Sequence, residues 1–122
     1  MARNILNTPH FDSDGDNSAQ AMTGGPAVLS GLQVLNVNTS DAWIQLYDLA
    51  TTGVTVGSTT PTLSLLVPKG DGTSYGGLDL VFSTPVFFKT ALTYACTTTP
   101  TGSGDPTTGL TVNAWVSSWG GS

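Results

Sequence analysis

Short runs of alternating apolar and polar residues recur along the chain. The clearest is WIQLY at residues 43–47, which a Thr- and Gly-rich link joins to LSLLV at residues 63–67. Successive side chains leave a β-strand on opposite sides, so a period of two predicts strands. Further runs of this kind lie at residues 27–38, 78–82, 86–88, 92–96 and 110–116.

The residues between these runs indicate the fold class. Gly, Pro, Asn and Asp separate the runs at short intervals, as in turns, and the frequent Thr, Val and Gly disfavour helix. Pro85 is expected to interrupt the strand that begins near residue 78, because proline has no N–H to donate to a ladder. We predict an all-β chain folded as a β-sandwich, jelly-roll-like or immunoglobulin-like, with about six to eight antiparallel strands.

The first 26 residues lack this periodicity. They contain apolar residues around a polar run, DSDGDNS, at residues 12–18. We therefore predict an extended N-terminal arm over residues 1–26 and one β-sandwich domain over residues 27–122. One interpretation is a loose terminus. The other is an arm that orders against a neighbouring subunit, because four apolar residues would be unusual in a segment that stays in water: Ile5, Leu6, Phe11 and Met22.

Charge and composition exclude several classes of function. The chain of 122 residues has a net charge of −5 and only three Lys and Arg together. Such a chain suits neither nucleic acid nor an anionic membrane surface, and no apolar run approaches the ~18 residues of a membrane span. The N-terminus lacks the apolar region of a signal peptide, so we expect synthesis in a cytoplasm without export by that route. Cys96 is the only cysteine, which excludes a disulfide within the chain.

The acidic run is the sharpest candidate for metal chemistry. Asp12, Asp14 and Asp16 have the spacing of the first three ligands in a calcium loop. However, Asn17 occupies the position that needs glycine, and Thr23 the position that needs a bidentate glutamate. We expect a solvated acidic turn, with no metal and no cofactor.

Catalytic groups are also poorly placed along the chain. His10 is the only histidine and has no paired nucleophile or oxyanion device in its segment. Cys96 lies on the apolar side of its run, where cysteine behaves as a small hydrophobe. The remaining aspartates that could form a carboxylate pair fit solvated strand ends better: Asp41, Asp48 and Asp79. The chain is therefore not expected to be an enzyme.

Four aromatic residues allow two interpretations. They either fill the sandwich core or form a surface that binds sugar or protein: Trp43, Tyr47, Trp115 and Trp119. The neighbouring Ser and Gly residues offer Trp115 and Trp119 little bulk to pack against, which favours a surface for these two. The residues predicted to form an interface are Ile5, Leu6, Phe11, Trp115 and Trp119.

The order of strands and turns over residues 31–117 resembles that of small structural proteins of tailed bacteriophages. The matching segments are WIQLY at 43–47, TVGSTTP at 55–61, PKG at 68–70, LVFSTP at 80–85 and LTYA at 92–95. Pro85 departs from the pattern, which has glycine there. Several small all-β proteins of this group are capsid decoration (cement) proteins, and the resemblance carries no active site.

The resemblance implies a structural role in the virion. We expect a decoration protein on the capsid surface, made in the host cytoplasm, that bridges and stabilises neighbouring subunits of the major capsid protein. Self-association as a homotrimer is expected, with many weak contacts adding by avidity. The low charge content is consistent with this, because an unpaired charge buried at a contact is costly. The alternative is a tail or head-fibre component that binds a carbohydrate or receptor.

Overall fold

Two antiparallel four-stranded sheets pack face to face in the structure, a computed structural model that describes residues 8–118. The elements are β1 (Thr8–Gly15), β2 (Gln20–Thr23), β3 (Ala27–Asn36), β4 (Ala42–Tyr47), a 3₁₀ turn (Thr51–Gly53), β5 (Leu63–Val67), β6 (Gly76–Phe88), β7 (Leu92–Thr97) and β8 (Leu110–Ser118). The first sheet has the order β1-β8-β3-β6 and the second the order β2-β7-β4-β5. This confirms the predicted β-sandwich. No helix in the described part of the chain is long and apolar enough to cross a membrane.

The core lies between the two sheets and follows the period of two, except on β3, where a register shift between Leu29 and Gly31 interrupts the alternation. Leu29, Leu32 and Val34 on β3 are fully buried, and alternate residues of β8, β4 and β7 meet them from the neighbouring strand and the opposite sheet. Each such side chain contributes about 1.5–3 kcal/mol when it leaves water. The central strands β3, β8, β4 and β7 therefore hold the two sheets together.

The extended N-terminal arm is not confirmed. Residues 8–15 pair with β8 at one edge of the first sheet, and residues 20–23 pair with β7 at one edge of the second. The alternation was hidden because the inward-facing side chains of β1 include His10 and Asp12, which are polar. Ile5 and Leu6 lie outside the described residues.

Pro85 does not end its strand as expected. β6 continues to Phe88, and the interruption appears as a shift in register: Gly31 lies opposite Val81, but Leu29 lies opposite Val86. The four residues between Val81 and Val86 thus face only Ser30. Proline is tolerated here because β6 is an edge strand and the ladder is already interrupted by a bulge.

The β7–β8 loop covers part of the outer side of the second sheet. The Gln45 side chain donates hydrogen bonds to Thr97 Oγ1 (2.8 Å) and to the carbonyl of Gly102 (3.0 Å). The hydroxyl of Tyr47 donates to Gln45 Oε1, and both side chains are fully buried. Two outward-facing residues are thereby enclosed by the chain's own loop.

Candidate functional site

The side chains of β1, β8, β3 and β6 that point away from the second sheet form the outer face of the first sheet. Across this face, Asn113, Gln33 and Asp79 lie directly opposite one another, and we call them the polar row. Asn113 Nδ2 donates to Gln33 Oε1 at 3.3 Å. Phe11 on β1 extends the row beyond Asn113. The row places two amides and a carboxylate in a line about two strand spacings long, or ~10 Å.

A second line of residues runs beside the polar row, two positions along each strand. It consists of Trp115, Gly31 and Val81, with Pro9 on β1 opposite Trp115, and we call the first three the apolar row. A Cβ atom on Gly31 would stand 3.0 Å from Cε3 of Trp115, so the six-membered ring of the indole rests over this glycine. Beside the ring is a hollow of about 220 Å³, which Asp79 and Ser30 also line.

The outer face contains the predicted interface residues that the structure describes. Phe11 is 66% exposed and Trp115 41% exposed. Two exposed apolar residues on the same face were missed, Val81 (86% exposed) and Phe87. They sit in the runs LVF and VFF, where consecutive apolar residues conceal which side points outward. The remaining predicted residues, Ile5, Leu6 and Trp119, lie outside the described part.

The flank of the sandwich formed by the edge strands β5 and β6 is only partly closed. We call its half-buried apolar side chains, which point between the two sheets, the open flank: Leu63, Leu65, Leu78, Leu80 and Phe82. Their ladder neighbours on β3 and β4 are fully buried, since Leu32 lies opposite Leu80 and Ile44 opposite Leu65. Asp79, which points to the outer face, is the one charged residue of these two strands.

The opposite flank, formed by β1 and β2, is closed by polar contacts. The Tyr94 hydroxyl donates to Asp12 Oδ2 at 2.5 Å and lies 2.9 Å from His10 Nε2. Because that hydroxyl has a single proton, His10 Nε2–H must be the donor of the second bond. Burial, and then the bond to Asp12, raise the pKa of Tyr94 well above its usual value. The network joins β1 of the first sheet to β7 of the second.

The acidic turn beside this network supports itself with local bonds. Asp12 Oδ1 accepts the backbone N–H of Asp14, and Asp16 Oδ1 accepts that of Ser18. Within residues 8–118, no three His, Cys, Asp or Glu side chains are placed to hold one metal ion. The geometry is therefore that of a hydrogen-bonded turn.

The other chemically active residues named from the sequence are distributed over the molecule. Asp41 accepts the backbone N–H of Lys69, and Asp48 accepts that of Thr90, so both hold loops. Asp79 belongs to the polar row. Cys96 is fully buried, and that burial, with Asp12 and Asp16 nearby, raises the pKa of its thiol. The structure does not bring these groups together in one site.

A larger cavity of about 500 Å³ lies between loops at one end of the sandwich. Its polar groups hold those loops to one another: Asn38 donates to the carbonyl of Thr108 and accepts its N–H, each at 2.8 Å. The outer face and the open flank carry most of the exposed or half-buried apolar side chains of the two edge strands β5 and β6, together with Trp115 and Phe11. No protein-family model matches the chain, and a search of curated proteins finds no relative.

Proposed function

We propose that this protein is a phage capsid decoration protein that binds the outer shell, bridges neighbouring major capsid subunits and stabilises them. The observation that supports this function is the open flank, where two edge strands present five apolar side chains without a charged group among them. Protein interfaces are depleted of charge at their centre, where an unpaired charge would be costly. We assign the shell contact to this flank.

The energetics fit a protein that acts in many copies. A leucine that passes from water to a fully buried contact contributes about 1.5–3 kcal/mol, and half-buried side chains contribute less. The net affinity of a single flank for the shell is therefore low, because association also costs translational and rotational entropy. Association of copies, as trimers, links several such contacts, and avidity then raises the occupancy of the shell.

Binding to purified heads of the parent phage tests this proposal. Wild-type protein should cosediment with expanded heads, and electron microscopy should find copies grouped in threes across neighbouring capsid subunits. Leu63→Asp places a charge on the open flank and should weaken binding at least about tenfold. Leu63 is half-buried and is the first residue of the edge strand β5. The substitution should therefore leave the fold intact, as dichroism can verify.

Leu49→Asp is the matched control, because Leu49 is 36% exposed but belongs to the loop between β4 and β5. It should bind heads as the wild-type protein does. Equal losses in both variants would remove the flank from the proposal, and failure of the wild-type protein to bind expanded heads would refute the function itself.

A further inference from the structure

We propose that the hollow beside Trp115 on the outer face binds a neutral pyranose unit of a glycan. This proposal sharpens the sugar-binding alternative that the sequence leaves open, and it is independent of the shell contact. It rests on three features of the face: a supported indole ring, a line of planar polar groups beside it, and the sign of the local charge.

The indole of Trp115 forms a flat apolar surface, which we call the platform, and packs on the backbone of Gly31. Its six-membered ring rests over Gly31, where any side chain would displace it, since a Cβ atom there would stand 3.0 Å from Cε3. The ring nevertheless remains 41% exposed. The face of an aromatic ring carries partial negative charge, so it attracts the polarised C–H groups on one face of a pyranose. A sugar ring is about as wide as the spacing between two strands, ~5 Å, and fits above this platform.

The polar row supplies hydrogen bonds at the edge of that platform. The separation of the two rows is two residues along a strand, about 7 Å, which brings the hydroxyls of a stacked sugar toward Gln33, Asn113 and Asp79. Among the described residues, no group donates a hydrogen bond to the Asp79 carboxylate. Carboxylates and amides can each engage adjacent sugar hydroxyls, because they offer two acceptors or an acceptor with two donors.

The negative charge of Asp79 favours neutral sugars over acidic ones. Asp79 is the one charged residue in either row, and the two lysines of the described chain, Lys69 and Lys89, lie in loops outside the sheets. A sialic or uronic acid would therefore be repelled by the Asp79 carboxylate, with no compensating cation in the rows from residues 8–118. A neutral hexose or an N-acetylhexosamine would not be repelled.

The same carboxylate argues against a protein partner in the hollow. A flat protein contact would bury Asp79 beside Val81 and Trp115 with no cation from residues 8–118 in the two rows, and an unpaired buried charge is costly. Sugar hydroxyls donate to such a carboxylate and leave part of it in water. The observations therefore favour a glycan over a second copy of the chain or another protein.

Nuclear magnetic resonance of the full chain tests the site. Titration to millimolar concentrations of methyl β-D-glucopyranoside, methyl β-D-galactopyranoside or N-acetylglucosamine should shift the Trp115 indole signal and the side-chain amide signals of Gln33 and Asn113. N-acetylneuraminic acid should produce no saturable shift. The proposal is overturned if none of the three neutral sugars shifts these signals, or if their shifts map to the loops at the end of the sandwich.

Three variants and a control complete the test. Trp115→Ala removes the platform and Gly31→Val displaces the ring, so each should abolish the shifts. Asp79→Ala alters an exposed side chain that supports no other group, so it should fold normally and weaken binding about tenfold. Phe87→Ala removes an exposed aromatic residue of the same face outside the hollow and should bind as the wild type does.

Unchanged sugar binding in both Trp115→Ala and Asp79→Ala, or binding of N-acetylneuraminic acid as tight as that of the neutral sugars, would overturn the assignment. Loss of shell binding in Trp115→Ala would also overturn it, because the hollow would then be a protein contact. Leu63→Asp should keep sugar binding, which separates a failure of this proposal from a failure of the decoration function.

Discussion

The hydroxyl of Tyr94 stabilises contact between the two sheets through one oxygen atom. It donates to Asp12 and accepts from His10, both on β1, while its own strand, β7, belongs to the other sheet. The ring also packs edge-on against the His10 imidazole, with centroids 5.4 Å apart. Polar side chains that face the core can therefore be accommodated at this edge without loss of hydrogen bonding.

Tyr94→Phe should destabilise the protein by about 1–3 kcal/mol, because two partly buried polar groups lose their shared partner. Urea unfolding followed by fluorescence gives the free energy of unfolding. Tyr75→Phe, in an exposed loop position, is the control and should change it by less than about 0.5 kcal/mol. A Tyr94→Phe protein as stable as the control would show that the network contributes little.

At the scale of single residues, exposure could be predicted only where the neighbours in sequence are small or polar. Trp115 was assigned to a surface from the serines beside it, and Asp79 was placed outward by its position within an apolar run. Val81 was missed because it lies between Leu80 and Phe82. The support of Trp115 by Gly31 could not be predicted, since it depends on the register of β3 against β8.

Among the elements, β3, β4, β7 and β8 were predictable because their inward-facing residues are almost all apolar. β1 and β2 were not, because β1 turns polar residues inward and β2 is only four residues long. The pairing of these two edge strands with different sheets also depends on contacts between residues about 70 to 110 positions apart.

Deletion of residues 2–25 distinguishes a dispensable arm from two edge strands of the sandwich. From the sequence, an arm could be removed with little change in melting temperature. In the structure, the deletion removes two strands and exposes the ladder edges of β8 and β7, together with the Tyr94 hydroxyl. We expect the truncated chain to melt well below the full chain in calorimetry, or not to fold.

Deletion of residues 2–7, which leaves both strands intact, is the control for this truncation. If the longer deletion melted like the shorter one, the edge strands would add nothing to stability, and the role of an arm would have to be considered again.

For the whole molecule, three buried acids determine the response to alkaline pH. Burial raises the pKa values of Tyr47, Tyr94 and Cys96 above the ordinary 10.0 of a phenol and 9.0 of a thiol. Below those ordinary values both states keep these protons, and the stabilising contribution is fully present. Above them the unfolded chain releases protons that the folded chain retains, so stability falls as the pH rises.

The free energy of unfolding should therefore decline above about pH 9, by up to ~1.4 kcal/mol per pH unit for each group that titrates only in the unfolded state. Urea titrations at a series of pH values measure the slope. Tyr94→Phe should make it shallower above pH ~10, where one phenol no longer contributes. A stability that stayed constant to about pH 11 would contradict the assignment of these groups as buried and neutral.

The bulge in β6 opposes edge-to-edge association between molecules at high concentration. Between Val81 and Val86 the strand departs from its ladder, and Pro85 removes one donor from the edge. An incoming strand from another molecule would meet an interrupted row of backbone groups and could not extend the sheet in register. The bulge thus makes the edge of β6 a poor template for the addition of a strand from another molecule.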